Sequence, residues 1–226
     1  MMNTMQSMLR TITTAVLTLG LVSGCAAGGN QMPTDAAGLT RDDVAEMSLH
    51  QEFDAFRDHY DHMQRLLKAA QLQVHDGEWE WDSGDDLPLI GGDGVAPLPG
   101  ADTKNSYDMR SGRLWSPPGA TGEQRDLQPM LDYFTDQGWA IEQRDITGDH
   151  ELWGYTGDGW QLIYTAQENG RYTLEVYSEL FWTNDGHKLR RAVAGRSLAD
   201  FPDQSLPGVY PDLPSWDDPI VNPPKI

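Results

Sequence analysis

Residues 160–182 read WQLIYTAQENGRYTLEVYSELFW, and this stretch decides the fold class. Trp160, Leu162, Tyr164 and Ala166 recur at every second position. So do Tyr172, Leu174, Val176, Ser178, Leu180 and Trp182 after the Asn169-Gly170 pair. Period-two alternation predicts strands with one buried face. Asn-Gly between two such runs predicts a hairpin. Thr173, Glu175, Tyr177 and Glu179 occupy the opposite positions, so the other face of this antiparallel sheet is wet.

Working toward the N-terminus, Trp139/Ile141 and Leu152–Tyr155 predict further strands. Asp126 is placed to cap a helix with Pro129 in its first turn, where the missing N–H costs nothing. Leu127, Leu131 and Phe134 share a face of it, and Gly138 supplies its left-handed stop. Ser106–Trp115 predicts a strand, as does the short run around Trp79 and Trp81. The Gly-, Pro- and Asp-rich residues between them predict a long loop. Asp82, Asp85, Asp86 and Asp93 lie there without the spacing of a calcium loop.

A second period dominates residues 41–75. Leu49, Phe53, Phe56, Tyr60, Met63, Leu67, Ala70 and Val74 alternate steps of four and three, the stripe of an amphipathic helix opened by Thr40. One helix over that range would be ~50 Å long. Phe, Tyr and Met in the stripe favour packing on the chain's own sheet over a coiled-coil dimer. The fold expected is therefore α+β: a two-layer arrangement of a mostly antiparallel sheet on a long N-terminal helix and one shorter helix.

The ends of the chain differ from this middle. The apolar run Ile12–Val22 follows Arg10 and leads into Val22-Ser23-Gly24-Cys25, which contains the only cysteine. The run is shorter than the ~20 residues a membrane-spanning helix needs. Its proportions are those of an export signal ending in small residues. Cys25 is the expected lipidation site, because a diacylglyceryl thioether supplies the two chains that stable anchoring requires. The expected organisation is a lipoprotein signal peptide (1–24), lipidated Cys25 with a flexible spacer (25–39), one α+β domain (40–196) and a proline-rich tail (197–226). Seven prolines from Pro202 to Pro224 exclude a helix there and predict extended chain outside the core.

The formal charge is −19 over 226 residues. That excludes nucleic acid as a partner, since affinity for phosphates comes from Lys and Arg. It also opposes lying flat on an anionic bilayer. The expected partner is the membrane itself, through the anchor at Cys25, with the domain facing outside. An envelope protein or a glycan is a further expected partner. With its single thiol acylated, the domain has no disulfide, so stability rests on packing and on its eight Trp.

Together these features resemble the actinobacterial lipoproteins of the LppA type. The resemblance rests on the Cys25 site, the long first helix, the Trp79/Trp81 strand, the Asp126–Gly138 helix with its aromatic meander, and the proline-rich end at Pro202–Pro224. It implies a location and no catalytic residues. Members of that family carry further cysteines in the mature part, which this sequence lacks.

Residues that could carry chemistry are few. His59 and His62 lie three apart on the long helix, towards its solvent margin, beside Asp58 and Asp61, but no third ligand or H-E-x-x-H accompanies them. Asp145, Asp149, His150 and Glu151 are expected to cluster in a turn. Trp153, Tyr155, Trp160, Tyr164 and Trp182 are dense enough to offer stacking to a sugar, although their alternation assigns them to the core. There is no G-x-S-x-G, P-loop or G-x-G-x-x-G. Neither a catalytic residue, a metal ligand nor a cofactor is assigned. This favours a non-enzymatic binding module over an extracellular hydrolase or metal-dependent enzyme, for which Asp149, His150 and Asp158 would be the residues to test.

Overall fold

A computed structural model describes residues 33–83, 88–91, 98–197 and 201–222; Cys25, Asp85, Asp86 and Asp93 lie outside them. The first elements are α1 (Arg41–Ala45) and α2 (Leu49–Val74). They are two helices where the stripe predicts one. Ser48 interrupts, with extended backbone, and forms a capping box with Gln51 that starts α2 afresh. Thr40 caps α1 as expected, in a capping box with Asp43. The stripe of α2 is the spine of the core. Phe53, Phe56, Tyr60, Met63 and Ala70 have no exposed surface, and Leu67 has almost none.

The strands are β1 (Trp79–Ser83), β2 (Leu89–Ile90), β3 (Ser106–Asp108), β4 (Arg110–Trp115), β5 (Ala140–Ile146), β6 (Asp149–Tyr155), β7 (Trp160–Ala166), β8 (Tyr172–Ser178), β9 (Phe181–Trp182) and β10 (Gln204–Ser205). A seven-stranded antiparallel sheet runs β10-β1-β4-β8-β7-β6-β5, and a small sheet runs β2-β3-β9. The α+β class and the packing on α2 agree with the sequence pattern. The strand expected over Ser106–Trp115 is split, because Met109 turns the chain from one sheet to the other. Its N–H goes to Ser178 Oγ at 2.9 Å and its carbonyl accepts from Ser178 N at 3.0 Å. For the same reason the expected face running to Leu180 and Trp182 ends at Ser178: Phe181–Trp182 belongs to the small sheet.

Within the large sheet the register is the one the alternation predicts. Leu174 pairs with Tyr164, and Val176 with Leu162, all fully buried. The pairing continues through Leu152 on β6 and Arg113 on β4. Arg113 is buried on the core face, its guanidinium 3.5 Å above the Trp81 ring and hydrogen-bonded to Ser111 Oγ, Gly112 O and Gln64 Oε1 of α2. Helix α3 (Gln128–Asp136) packs over β5 and β6. Gly154 permits that approach, since a Cβ there would lie 2.6 Å from the Phe134 ring. The expected cap at Asp126 is displaced. Glu123 opens a 3₁₀ turn over Gln124–Leu127 first, in a capping box with Asp126. Helix α4 (Gly186–Arg196) has no counterpart in the sequence reading. It is capped by Asp185 and buries Leu189 and Val193.

Both flanking segments depart from expectation. From Pro33 the spacer is docked: Ala36 N donates to Leu180 O at 3.0 Å, and the Asp35 carboxylate accepts from Trp182 N at 3.0 Å. The proline-rich segment 201–222 is extended but lies on the core rather than outside it. Gln204–Ser205 pairs with β1, Tyr60 Oη donates to Pro211 O at 3.0 Å, and Trp216 sits edge-on to Phe53 at 5.5 Å.

Candidate functional site

Three loops meet at the end of the large sheet where β7 begins and β8 ends. The first is residues 33–39, folded around Asp35. Its carboxylate accepts from Ala37 N and Leu39 N, both at 2.9 Å, besides Trp182 N. This loop lies close over Gly159, where a Cβ would come within 2.6 Å of Ala36 Cβ. The second is residues 98–105, held by Asp102. Asp102 Oδ1 accepts from Lys104 N and Asn105 N at 2.9 Å each, and Oδ2 from Arg41 at 3.1 Å. The two backbone donors first, and then Arg41, hold the Asp102 carboxyl below its usual range. The third is Glu179–Trp182, between β8 and β9.

Between them lies a cleft of 730 Å³, lined by Pro33, Ala36, Leu98, Pro99, Leu180 and Trp182 among others, with Gln161, Glu179 and Arg41 contributing polar groups. The Arg41 guanidinium is 4.5 Å above the Trp182 ring. Trp182 is 8% exposed, and its indole N–H is buried with no hydrogen-bond acceptor among the described residues. Such an orphaned donor is uncommon in a folded protein. A concave, mostly apolar cleft with a few fixed polar groups is the usual form of a small-molecule site.

The residues singled out from sequence are dispersed. Asp145 and His150 pair on the core-side face at the β5–β6 tip, 2.6 Å apart. Asp149 and Glu151 lie on the other face, in β6 itself rather than in a turn. Asp149 accepts from Glu168 N at 3.0 Å and Glu151 from Trp153 Nε1 at 2.9 Å. Those two line a polar groove of 290 Å³ with Glu175 and Arg171. Asp158 stands at the far end of β6, hydrogen-bonded to Thr156. Asp149, His150 and Asp158 are therefore not brought together.

His59 is half-buried, stacked 3.9 Å from Phe181, with Nδ1 3.0 Å from the Tyr107 hydroxyl. Burial, and next the neighbouring His62, push its pKa down to about 4. His62 is lowered too, by burial against the opposing charge of Asp158, and its Nε2 is buried beside Trp160 without a partner among the described residues. Among the described residues no three His, Cys, Asp or Glu side chains come together to hold a metal ion.

The aromatic set divides three ways. Trp160 and Tyr164 are in the core. Trp153 and Tyr155 are on the outer face, where Arg144 lies 4.0 Å over Trp153. Trp182 alone lines the cleft.

No protein-family model, curated protein or solved structure matches this chain. Among the described residues no helix is long and apolar enough to cross a membrane.

Proposed function

We propose that this chain is a lipid-anchored extracytoplasmic envelope protein of the LppA-type kind, attached through acylated Cys25, and that it is a non-enzymatic binding module. The observation that supports binding over catalysis is the Trp182 cleft. Its walls are mostly apolar, Asp35 is taken up by backbone N–H groups and Arg41 by Asp102, and Glu179 is exposed to solvent. Among the described residues no convergent acid, base and nucleophile lines it. The location rests on the Val22-Ser23-Gly24-Cys25 site. Only eight peptide steps separate Cys25 from Pro33 at the cleft wall. Fully extended they span at most ~28 Å, which bounds the distance from the anchor to the cleft wall.

Metabolic labelling with an alkyne fatty acid, followed by membrane fractionation, tests the anchor. The wild type should carry label and sediment with membranes. Cys25→Ser should carry none and appear in the soluble extracytoplasmic fraction. Equal labelling of the two forms would remove the anchor from the proposal.

A further inference from the structure

We propose that the outer face of the large sheet carries a second binding site, a groove that takes a sugar-sized, hydroxyl-rich cation of the amino-sugar class. It is separate from the Trp182 cleft and does not rest on it. Its floor is a row of directly paired residues: Glu151 on β6, Thr165 on β7, Thr173 on β8 and Leu114 on β4. At ~4.8 Å per strand the row spans ~14 Å. Asp149, Gln167 and Arg171 line it on the side of the β7–β8 turn, and Glu175 and Asp82 on the other. Gly112 makes room for Asp82: a Cβ there would lie 3.0 Å from both Cβ and Oδ2 of Asp82, so this side chain lies over β4.

Four carboxylates line the groove against one cation, Arg171. Glu175 is balanced, since its Oε1 accepts from Arg110 at 3.1 Å and from the Tyr177 hydroxyl at 2.7 Å. The other three are not. Asp149 accepts only the Glu168 backbone N–H, and Glu151 only the Trp153 indole N–H. Arg144, across the β5–β6 pair from Glu151, is held by both oxygens of Glu142 at 2.8 Å. Among the described residues the Asp82 carboxylate has no partner and the Arg171 guanidinium no ion pair. Acidic neighbours alone are unremarkable in a chain of formal charge −19. What marks this groove is Thr165. It is 7% exposed, yet its hydroxyl has no partner among the described residues and is not sealed off from the groove that it lines. A hydroxyl so placed is a fixed donor and acceptor for whatever enters.

These groups select the ligand. An anion is repelled by the excess of carboxylates. An apolar molecule finds only Leu114 for contact, and no aromatic ring lines the groove among the described residues. A bare metal ion is not held, because no three His, Cys, Asp or Glu side chains converge among the described residues. An ammonium group gains the uncompensated Asp149, Glu151 and Asp82. Ring hydroxyls donate to the same carboxylates and accept from Thr165 and Arg171. The volume of 290 Å³ is at the small end of ligand sites, ~300 Å³, and suits one ring.

The test follows backbone amide signals of the full chain carrying Cys25→Ser, titrated at mildly acidic pH with glucosamine, whose amine is then mostly protonated. Three comparison compounds each change one feature. Glucose lacks the charge, cyclohexylamine lacks the hydroxyls, and glucuronate carries the opposite charge. The groove is open, so binding should be weak, in the millimolar range. The signals of Thr165 and Thr173 should shift saturably with glucosamine. Glucose should bind at least about fivefold more weakly, cyclohexylamine at least about threefold, and glucuronate not at all. Thr173→Arg, which places a cation on the half-exposed floor, should abolish binding. Asp149→Asn combined with Glu151→Gln keeps both accepted hydrogen bonds, removes two charges and should weaken binding about fivefold. Thr165→Val should weaken it about threefold. Two charge variants are used so that a folding defect in one, visible in the core amide signals, does not decide the matter.

Glucose binding as tightly as glucosamine, or glucuronate binding at all, would overturn the cationic class. Cyclohexylamine binding as tightly would overturn the hydroxyl-rich class and leave a plain ammonium site. Unchanged affinity in Thr165→Val would overturn Thr165 as part of the site. Glucosamine shifts that survive both charge variants would place the sugar elsewhere and overturn the groove. If no groove signal responds to glucosamine, the site fails, and the reading of the Trp182 cleft is untouched.

Discussion

The meander β6–β8 and the strap 201–222 both pack on the core around α2, yet they are built on opposite plans. In the meander the core-facing side chains recur at every second position, so Tyr164, Leu174 and Leu152 support one another across the register, and on β7 the outer-face residues Ile163 and Thr165 are buried as well. The strap has no period. It is held at separate points: Tyr210 edge-on to Tyr60 at 5.7 Å, Trp216 against Phe53, the Arg196 guanidinium 4.5 Å over Trp216, and Val221 and Asn222 donating to Gly195 O. Prolines suit that plan because they remove donors and pre-set an extended backbone without needing a partner strand. A redundant layer should fail all at once, and a pinned one anchor by anchor.

The largest effect expected is in the meander. Leu174→Asp or Val176→Asp places an unpaired charge where the native side chain has no exposed surface, and should cost at least about 4 kcal/mol and abolish cooperative melting. Thr173→Asp, on the half-exposed outer face, should cost about 1 kcal/mol or less. Thermal melts in which Thr173→Asp is as damaging as Leu174→Asp would dissolve the distinction between the two faces.

Next comes pH, which probes the side of α2 that faces the small sheet. His59 titrates near 6.5 when unfolded and at about 4 in the folded chain. Between those values the unfolded state binds the extra proton, so stability is complete above pH 6.5 and falls as pH drops toward 4. The contribution lost is roughly 3 kcal/mol. Urea unfolding at pH 7.0 and 4.5 should show that loss, and His59→Gln should flatten the dependence by up to one proton. An unchanged slope in His59→Gln would assign the dependence to His62 or to carboxylates instead.

The strap is predicted to respond more mildly. Trp216→Ala removes a half-buried ring from Phe53, His50 and Arg196 and should cost about 2 kcal/mol, while melting stays cooperative. Hydrogen exchange should then rise at Val221 and Asn222 ahead of β8. Global exchange at the same rate in both would show that strap and meander are one cooperative unit.

What could be read from the sequence follows the same division. Elements with a period were legible: the buried stripe of α2, the faces of β7 and β8, and Gly138 as a left-handed stop with φ of 70°. Their interruptions were not. Ser48 restarts a helix whose apolar stripe runs on without a break, and Met109 switches sheets inside a run that alternates acceptably on either side. Helix α4 buries only Leu189 and Val193 at helical spacing, too little signal beside its charged residues. The cleft was illegible for a stronger reason. Its walls come from residues 33–36, 98–100 and 179–182, loops whose juxtaposition is a property of topology and not of any local pattern. Only Trp182 had been singled out, and for its ring rather than its N–H.

The smallest expected effect separates two turns. Asn169-Gly170 carries the stronger hairpin signal, yet only Gly170 has a positive φ, 81°. Asn169 instead accepts from Arg171 N through Oδ1 at 2.8 Å, and Gln167 N bonds to Arg171 O at 3.0 Å, a longer loop closed by one left-handed glycine. The two-residue turn with both φ positive is Thr147-Gly148, at 52° and 95°, joining Ile146 to Asp149. A β-branched residue is poorly suited to that conformation, whereas Asn tolerates it. Thr147→Asn should therefore stabilise the chain by about 0.5–1 kcal/mol, raising its melting temperature by about 1–4 °C. Asn169→Thr should lower it slightly, through loss of the bond to Arg171 N. Melting shifts of the same sign for the two substitutions would show that the conformational assignment of one of these turns is wrong.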